Sequence, residues 1–498
     1  MKHDKLCEKM EQKNLKLFNS ISLNLNYKDL IIFLIPCIIF LYYLYIFDPG
    51  ILRYDSYNQL NQIATNSYNN WHPFFHTFIY QIWLKIYPDI KILSIIQILI
   101  FSTIWMVICK YYRPNDLNSN KIFILQLLIT LVISLIPINA IYSITLLKDT
   151  LFSYLMLFLS FLIAVLLDKK CVVNIPFIII LSLTMACVTQ IRHNGLILII
   201  IFLIALGIYF YKTHKATKIF LFISVLTILF IIMISSLNVV YDVADTPKDA
   251  ICAKVEHMLA DYDLNLDLNK GDRDKIYKIV DKKTIKKEYE ITSSDSIYFN
   301  SHPPVYEKDK ETYIWMAIKY SLKNPKHFIK YLFYSSPIVW DITRDSWTGF
   351  AYSTDTNGSR DVYYNYSIKK GITPTNYIDN ATAKNTQTQE YKNLNSFVNT
   401  ARDNKITDTI FYSPALYMFL AFLSMILIHW ITKSKEVYLV YLPNMINIIV
   451  IFLSIPTQDN RYLYPNLLVF YLLIIMLISL ILKNKDKIFT KLGNNSIF

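Results

Sequence analysis

The sequence predicts an all-α polytopic membrane protein of about ten transmembrane helices, with a mixed extracytoplasmic domain inserted before the last three. Three observations predict it. Of 498 residues, 54% are hydrophobic and the mean hydropathy is +0.32, above the roughly 45–50% apolar content of a soluble domain. The excess is gathered into runs of roughly 18–22 residues, the length that crosses about 30 Å of hydrocarbon. Between those runs, lysine and arginine collect in alternate loops, as an inside–outside asymmetry requires.

Taken in order, residues 1–28 form a basic N-terminal segment. Apolar runs follow near 29–47, 91–110, 122–143, 150–167, 174–190, 195–211 and 219–239. The first is longer than a signal-peptide core and has no small-residue cleavage site after it, so it reads as a retained span. The loop 48–90 contains "HPFFHTFIYQIWLKIYP" (72–88), apolar but short, with Pro73 at its start. We read it as an amphipathic helix lying in the membrane interface. That choice places both termini in the cytosol. The cytosolic pieces then hold about twenty Lys and Arg, while the short outer loops carry Lys148, Arg192 and Arg461. Residues 241–410 form the extracytoplasmic domain, with roughly 24 basic and 24 acidic side chains. Spans near 411–432, 437–456 and 462–482 complete the bundle (411–482), and 483–498 form a cytosolic tail.

The formal charge of +13 therefore resides on the cytosolic face. It is an orientation signal and an attraction to anionic lipid. The expected partner is the lipid bilayer of the plasma membrane, and no nucleic acid. The six cysteines form no CxxC pair, so a disulfide framework or thiolate metal site is not expected.

The short outer loops are "RYDSYNQL" (53–60), "NNWHPFFH" (69–76), "LLKDT" (146–150), "QIRHNG" (190–195) and "TQDNRYLYP" (457–465). In this topology they share one face, and they present Arg53, Asp55, His72, Lys148, Asp149, Arg192, His193, Asp459 and Arg461. An ionisable group near a helix centre costs about 2.5–3.5 kcal/mol on insertion scales. Such groups persist where they pair or line a hydrated cavity. Each also has an ordinary reading. Lys148–Asp149 could cap a helix start, Arg192 could snorkel, and Asp459–Arg461 could be a local ion pair. His72 and His76 are spaced i, i+4, but two histidines without a third ligand are a poor zinc site.

One chemistry uses all these types together. Cleaving a sugar–phosphate bond on a lipid carrier leaves negative charge on the departing phosphate. Arginine and lysine stabilise that charge, arginine with two hydrogen bonds. The attacking hydroxyl must lose a proton, and a carboxylate can take it as general base. Single displacement inverts the anomeric carbon. Asp55 is the expected base, and Asp149 is the next candidate for that catalytic role. Arg192, Lys148, Arg461 and Arg53 are the expected phosphate ligands. His72, His193, Trp71 and Tyr54 are expected to contact substrate, the aromatic rings by stacking on a sugar. Asp48, followed directly by Pro49–Gly50, reads as loop structure.

These residues resemble the GT-C superfamily of integral-membrane glycosyltransferases, which includes protein O-mannosyltransferases and aminoarabinose transferases. In that superfamily the first outer loop follows span one, bears an acidic residue and continues into interfacial helices. Asp55 in "PGILRYDSYNQL" matches that position, "WHPFFHTFIYQIWLKIYP" looks like the His-Pro-led segment, Asp149 in "LLKDTLF" the second acidic site, and "RYLYP" (461–465) the Arg-Tyr-x-x-Pro element. The likeness covers 29–240 most clearly and 411–482 more weakly. It implies a GT-C-like bundle, a polyprenyl-phosphate-linked sugar donor and an extracytoplasmic glycan, lipid or protein acceptor. No cofactor is required; a divalent metal is known in parts of the superfamily, but the first loop has no DxD. That loop also carries a single Asp, with Ser56 beside it, where a paired Asp-Glu is usual.

Two other classes compete. A cell-envelope polysaccharide polymerase or ligase also carries outer arginines and a late polar loop, although the helical segment after Asp55 argues against it. A transporter or flippase of lipid-linked glycans would show repeats and helices broken at Gly or Pro in mid-membrane. The chain has eight glycines and no repeat.

Overall fold

A computed structural model describes residues 25–113, 119–168, 173–213, 217–245, 250–302, 306, 308–345, 354–369 and 381–483. Most of the basic N-terminal segment, the tail beyond 483, Cys7, Cys171 and parts of the short basic loops lie outside them.

The described residues form helices and no strand. They are α1 (Tyr27–Ile46), α2 (Tyr54–Thr65), α3 (Phe74–Ile86), α4 (Lys91–Tyr112), α5 (Ser119–Leu135), α6 (Pro137–Ile144), α7 (Lys148–Leu167), α8 (Ile175–Ile191), α9 (Asn194–Lys212) and α10 (Thr217–Val240). Then come α11 (Ala250–Asn265), α12 (Lys270–Ile279), α13 (Lys282–Glu288), α14 (Asp295–Phe299), α15 (Lys310–Lys323), α16 (Pro325–Ser335), α17 (Pro337–Trp340), α18 (Thr356–Lys369), α19 (Gln389–Asp403) and α20 (Lys405–Tyr412). The last are α21 (Pro414–Thr432), α22 (Glu436–Ser454), a 3-10 turn (Asn460–Tyr462) and α23 (Tyr464–Lys483).

Eight of these, α1, α4, α7, α9, α10, α21, α22 and α23, are long and apolar enough to cross a bilayer. The chain is thus a multi-pass, all-α membrane protein. Two expected spans depart from simple helices. The run 122–143 is broken into α5 and α6, bent by 66°. Ile136 is extended and Pro137 opens α6, where its missing N–H and fixed φ suit a helix start and not a continuation. Helix α8 has 17 residues, about 25 Å at 1.5 Å per residue.

The segment 72–88 gives the short helix α3. Its 13 residues reach about 20 Å, too short to cross. One face (Phe74, His76, Thr77, Tyr80, Gln81, Leu84) is buried, while Ile82 and Ile86 are exposed.

Helix α7 is the most enclosed span, 78% buried over its apolar window, and α10 the least, at 17%. The residues that open α7 therefore start at the centre of the bundle. At one end the buried Asp29 accepts from Arg113 Nη1 at 2.8 Å, while Gln126 accepts from Arg113 Nε at 3.0 Å. Segment 241–412 covers the other end, called here the domain end.

That segment is helical in its described residues, where a mixed domain was the expectation. Its own core runs from Cys252 to Tyr320, built on Leu259, Tyr262, Ile279, Ile297 and Tyr313. Beyond Ser336 it packs onto the bundle instead. Ile338 and Val339 join α21–α23, Tyr363 and Ala381 cover α2, and Val398, Ala401 and Tyr412 join the main core.

Candidate functional site

Two loops meet first. Ile51 N–H donates to Ile144 O at 2.9 Å and Leu146 N–H to Ile51 O at 3.0 Å. Gly50 makes this approach possible. Its φ is +119°, and a Cβ there would lie 2.6 Å from Ser94 Oγ and 2.9 Å from Ile144 O, closer than any side chain tolerates. Ser56 Oγ then donates to Leu146 O at 2.6 Å. This lacing sets the first turn of α2, with Asp55, beside the first turn of α7, with Lys148 and Asp149.

Arg192 arrives from a tight corner. It closes α8 in an extended conformation, and Gly195 N–H donates back to Arg192 O at 2.8 Å. A Cβ on Gly195 would fall 2.0 Å from Val188 O, so only glycine lets α9 start against the last turn of α8. Arg461 sits in the 3-10 turn before α23. Asp459 caps that turn, accepting Arg461 N–H at 3.0 Å and facing its Nε at 3.2 Å.

The four pieces converge on two carboxylates, Asp55 and Asp149. Arg461 Nη1 donates to Asp55 Oδ2 at 2.7 Å, and Lys148 Nζ donates to the same oxygen at 3.3 Å. Arg192 Nε lies 3.2 Å from Asp149 Oδ1, and Arg461 Nη1 lies 3.9 Å from Asp149 Oδ2. The Arg192 guanidinium is also 4.8 Å from the Tyr462 ring and 5.4 Å from that of Phe152, a cation–π setting. Asp55, Asp149 and Asp459 thus face Lys148, Arg192 and Arg461, and their formal charges cancel. Burial would raise the Asp55 carboxyl, but Arg461 and Lys148 beside it hold it well below the usual carboxylate value.

His72 completes the ring. Its Nδ1 is 3.0 Å from Lys148 Nζ, and its Nε2 is 3.9 Å from Asp55 Oδ1. Burial first, and the Lys148 ammonium second, push it down to about 3. It is therefore neutral near pH 7, and its approach to Asp55 is no salt bridge. Because an ammonium can only donate, Nδ1 accepts and the proton sits on Nε2. Neither His72 Nε2 nor Arg192 Nη1 has a hydrogen-bond partner among the described residues.

The other expected residues lie around this centre. Arg53 is half-buried at the N-cap of α2, its N–H donating to Ser56 Oγ at 3.0 Å. Tyr54 packs edge-on to Tyr363 at 5.3 Å. Trp71 stacks on Tyr298 of α14 at 6.0 Å. His193 is exposed, beside the backbone of Asn70 and Trp71. Asp48 is in the loop, 2.6 Å from Lys91 Nζ. His76 turns to Gln59, 3.0 Å away. Among the described residues no group of three or more His, Cys, Asp or Glu could hold a metal ion.

Sequence reasoning missed one carboxylate. Asp295 opens α14 within the electrostatic reach of Arg461, Asp55 and Asp459. Its helix is fastened on both sides of the site: Ser294 N–H donates to Pro456 O at 2.7 Å, and Tyr298 stacks on Trp71. Burial raises its carboxyl above the ordinary value, against the pull of Arg461. In the sequence Asp295 is one of some two dozen acidic residues of 241–410, with no motif around it.

No family model, curated protein or solved structure matches the chain.

Proposed function

We propose that the protein is an inverting membrane glycosyltransferase of GT-C type, moving a sugar from a polyprenyl-phosphate-linked donor to an extracytoplasmic acceptor. The observation that carries this reading is the group of three cations, Lys148, Arg192 and Arg461, gathered on Asp55 and Asp149 where the bundle meets segment 241–412. Ion pairs alone would fit a structural role. Two features favour a phosphate site. Lys148, Arg192 and Arg461 match Asp55, Asp149 and Asp459 in charge, and among the described residues Arg192 Nη1 and His72 Nε2 have hydrogen-bonding capacity left over.

Donor binding would then switch the base on. A phosphate competes for Arg461 and Lys148, which hold Asp55 at 2.7 and 3.3 Å. A carboxylate so paired is a weak base. As the cations turn to phosphate, the Asp55 carboxylate becomes more basic and can take the acceptor hydroxyl proton while the hydroxyl oxygen attacks the anomeric carbon. The sugar–phosphate bond breaks with its electron pair going to the phosphate oxygen, whose charge Arg192, Arg461 and Lys148 offset. Asp149, buried between Arg192 and Arg461, positions both. The acceptor is a cell-envelope glycan, lipid or protein, and the site faces outward from the plasma membrane with both termini in the cytosol.

The test is transfer from radiolabelled polyprenyl-phosphate sugars in membranes, wild type against Asp55→Asn. The expected outcome is label on an acceptor for wild type and none for an equally expressed variant. A variant that transfers normally removes Asp55 from the mechanism. Donor untouched by wild type overturns the transferase reading.

A further inference from the structure

Helix α16 takes no part in the candidate site. It has two faces. Tyr331, Leu332 and Ser335 are buried, while Ile329, Phe333 and Tyr334 on the other side are 49–55% exposed. Ile329 and Phe333 are i, i+4 and so stand one above the other. Exposed lysines, Lys326 and Lys330, flank them, with Lys330 Nζ 5.7 Å from the Tyr334 ring. Eleven residues are far too few to cross a bilayer.

This apolar face is continuous with the lipid-facing side of a span. Phe333 meets Phe452 of α22 edge-on at 5.4 Å. On α22, Ile449 and Leu453 are 48–52% exposed, as expected of side chains against acyl chains. Trp340, which donates its indole N–H to Phe333 O at 2.9 Å, adds a ring of the type enriched where hydrocarbon meets water.

We propose that α16 lies in the bilayer interface, with Ile329 and Phe333 at the acyl-chain boundary and Lys326 and Lys330 among anionic headgroups. An apolar face flanked by lysines binds such a surface by area and by charge. The consequence reaches the candidate site. Gln458 donates to Ser335 O at 3.0 Å and to Thr292 O at 2.8 Å. The membrane-resting helix thereby holds the 456–462 loop, and Arg461 with it, at a set height above the lipid. This inference does not depend on the transferase reading.

The experiment places photoreactive benzoylphenylalanine at Phe333, at Ile329 and, for reference, at Lys287, whose side chain is 84% exposed on the charged helix α13. The full chain is irradiated in phosphatidylcholine vesicles with and without phosphatidylglycerol, and adducts are read by mass spectrometry. Lipid adducts from 333 and 329 and none from 287 are expected, with more phosphatidylglycerol adduct than its share of the vesicle. The double variant Lys326→Glu, Lys330→Glu should lose that enrichment. Equal adducts at all three positions, chain-to-chain crosslinks, or no lipid adduct at 333 and 329 would overturn the proposal. Position 329 decides the matter if a probe at 333 disturbs its contact with Phe452.

Discussion

Asp55 and Arg461 are 406 residues apart in the chain, and Arg461 Nη1 donates to Asp55 Oδ2 at 2.7 Å. The bond joins the loop and helix that follow α1 to the turn before the last helix. Both side chains are 17% exposed, sheltered enough to strengthen the pair and open enough for a charged ligand to compete for it.

Arg461→Lys keeps the charge but loses the planar fork that serves Asp55 and Asp459 together. If Arg461 grips phosphate, donor KM should rise by about tenfold, the weight of one charge-assisted hydrogen bond. The thermal midpoint should change little. Steady-state transfer at varied donor concentration, with a melt in detergent, separates the two effects.

Asp295 has a raised carboxyl and lies near Asp55 without being fixed by the cation pair that holds it. Should it assist the acceptor proton, Asp295→Asn should lower kcat by roughly 10²–10⁴-fold, the range of general base catalysis, with donor KM unchanged. The acid limb of the pH–rate profile should shift at the same time. A kcat within twofold of wild type excludes the role.

Lys254 is buried in the 252–320 unit, 3.0 Å from Ser335 Oγ. Burial, against the pull of Asp261, pushes its ammonium down to about 7 from 10.5. Between those values the unfolded chain binds the proton and the folded chain does not, so stability rises with pH from about 7 to 10.5. Lys254→Met should remove that slope and raise stability near pH 7 by a few kcal/mol. Thermal unfolding in detergent at pH 7 and pH 9.5 checks both signs.

His72 and His76 are pushed down to about 3, in both cases mainly by burial. Each is neutral when folded and protonated when unfolded from about pH 6.5 down to 3, so stability falls as the medium is acidified through that window. Asp55, held low, adds its own loss only below about pH 4. His76→Gln should flatten the fall between pH 6.5 and 5, read as the change in thermal midpoint with pH.

At the opposite end, Asp29 is fully buried against Arg113. Asp29→Ala leaves a buried guanidinium unpaired and should cost about 3–5 kcal/mol. A structural pair of this kind predicts a large drop in thermal midpoint with unaltered donor KM in the protein that remains folded.

Much of the architecture was legible because hydrocarbon imposes a length and a polarity on whatever crosses it. Every apolar run from 29 to 482 is helical, 122–143 as the bent pair α5 and α6, and the His-Pro-led segment is the short α3. The bend before Pro137 was written in its imino nitrogen but hidden inside an unbroken apolar run. Asp295 was illegible for another reason. A carboxylate in a polar segment carries no local signal, and only the docking of Ser294 on Pro456 and of Tyr298 on Trp71 brings it to the centre.

The sequence by itself determined that the chain crosses the membrane many times and that its short loops carry Asp55, Lys148, Asp149, Arg192 and Arg461. Apolar length and loop charge are one-dimensional properties, readable along the chain. Tertiary structure decided which charge meets which. Glycines 50 and 195 let backbones approach within reach, the 51–146 lacing sets α2 beside α7, and the enclosed position of α7 puts Asp149 between two arginines. Those pairings depend on distances of a few ångströms between segments hundreds of residues apart. No periodicity records such distances; only close packing fixes them.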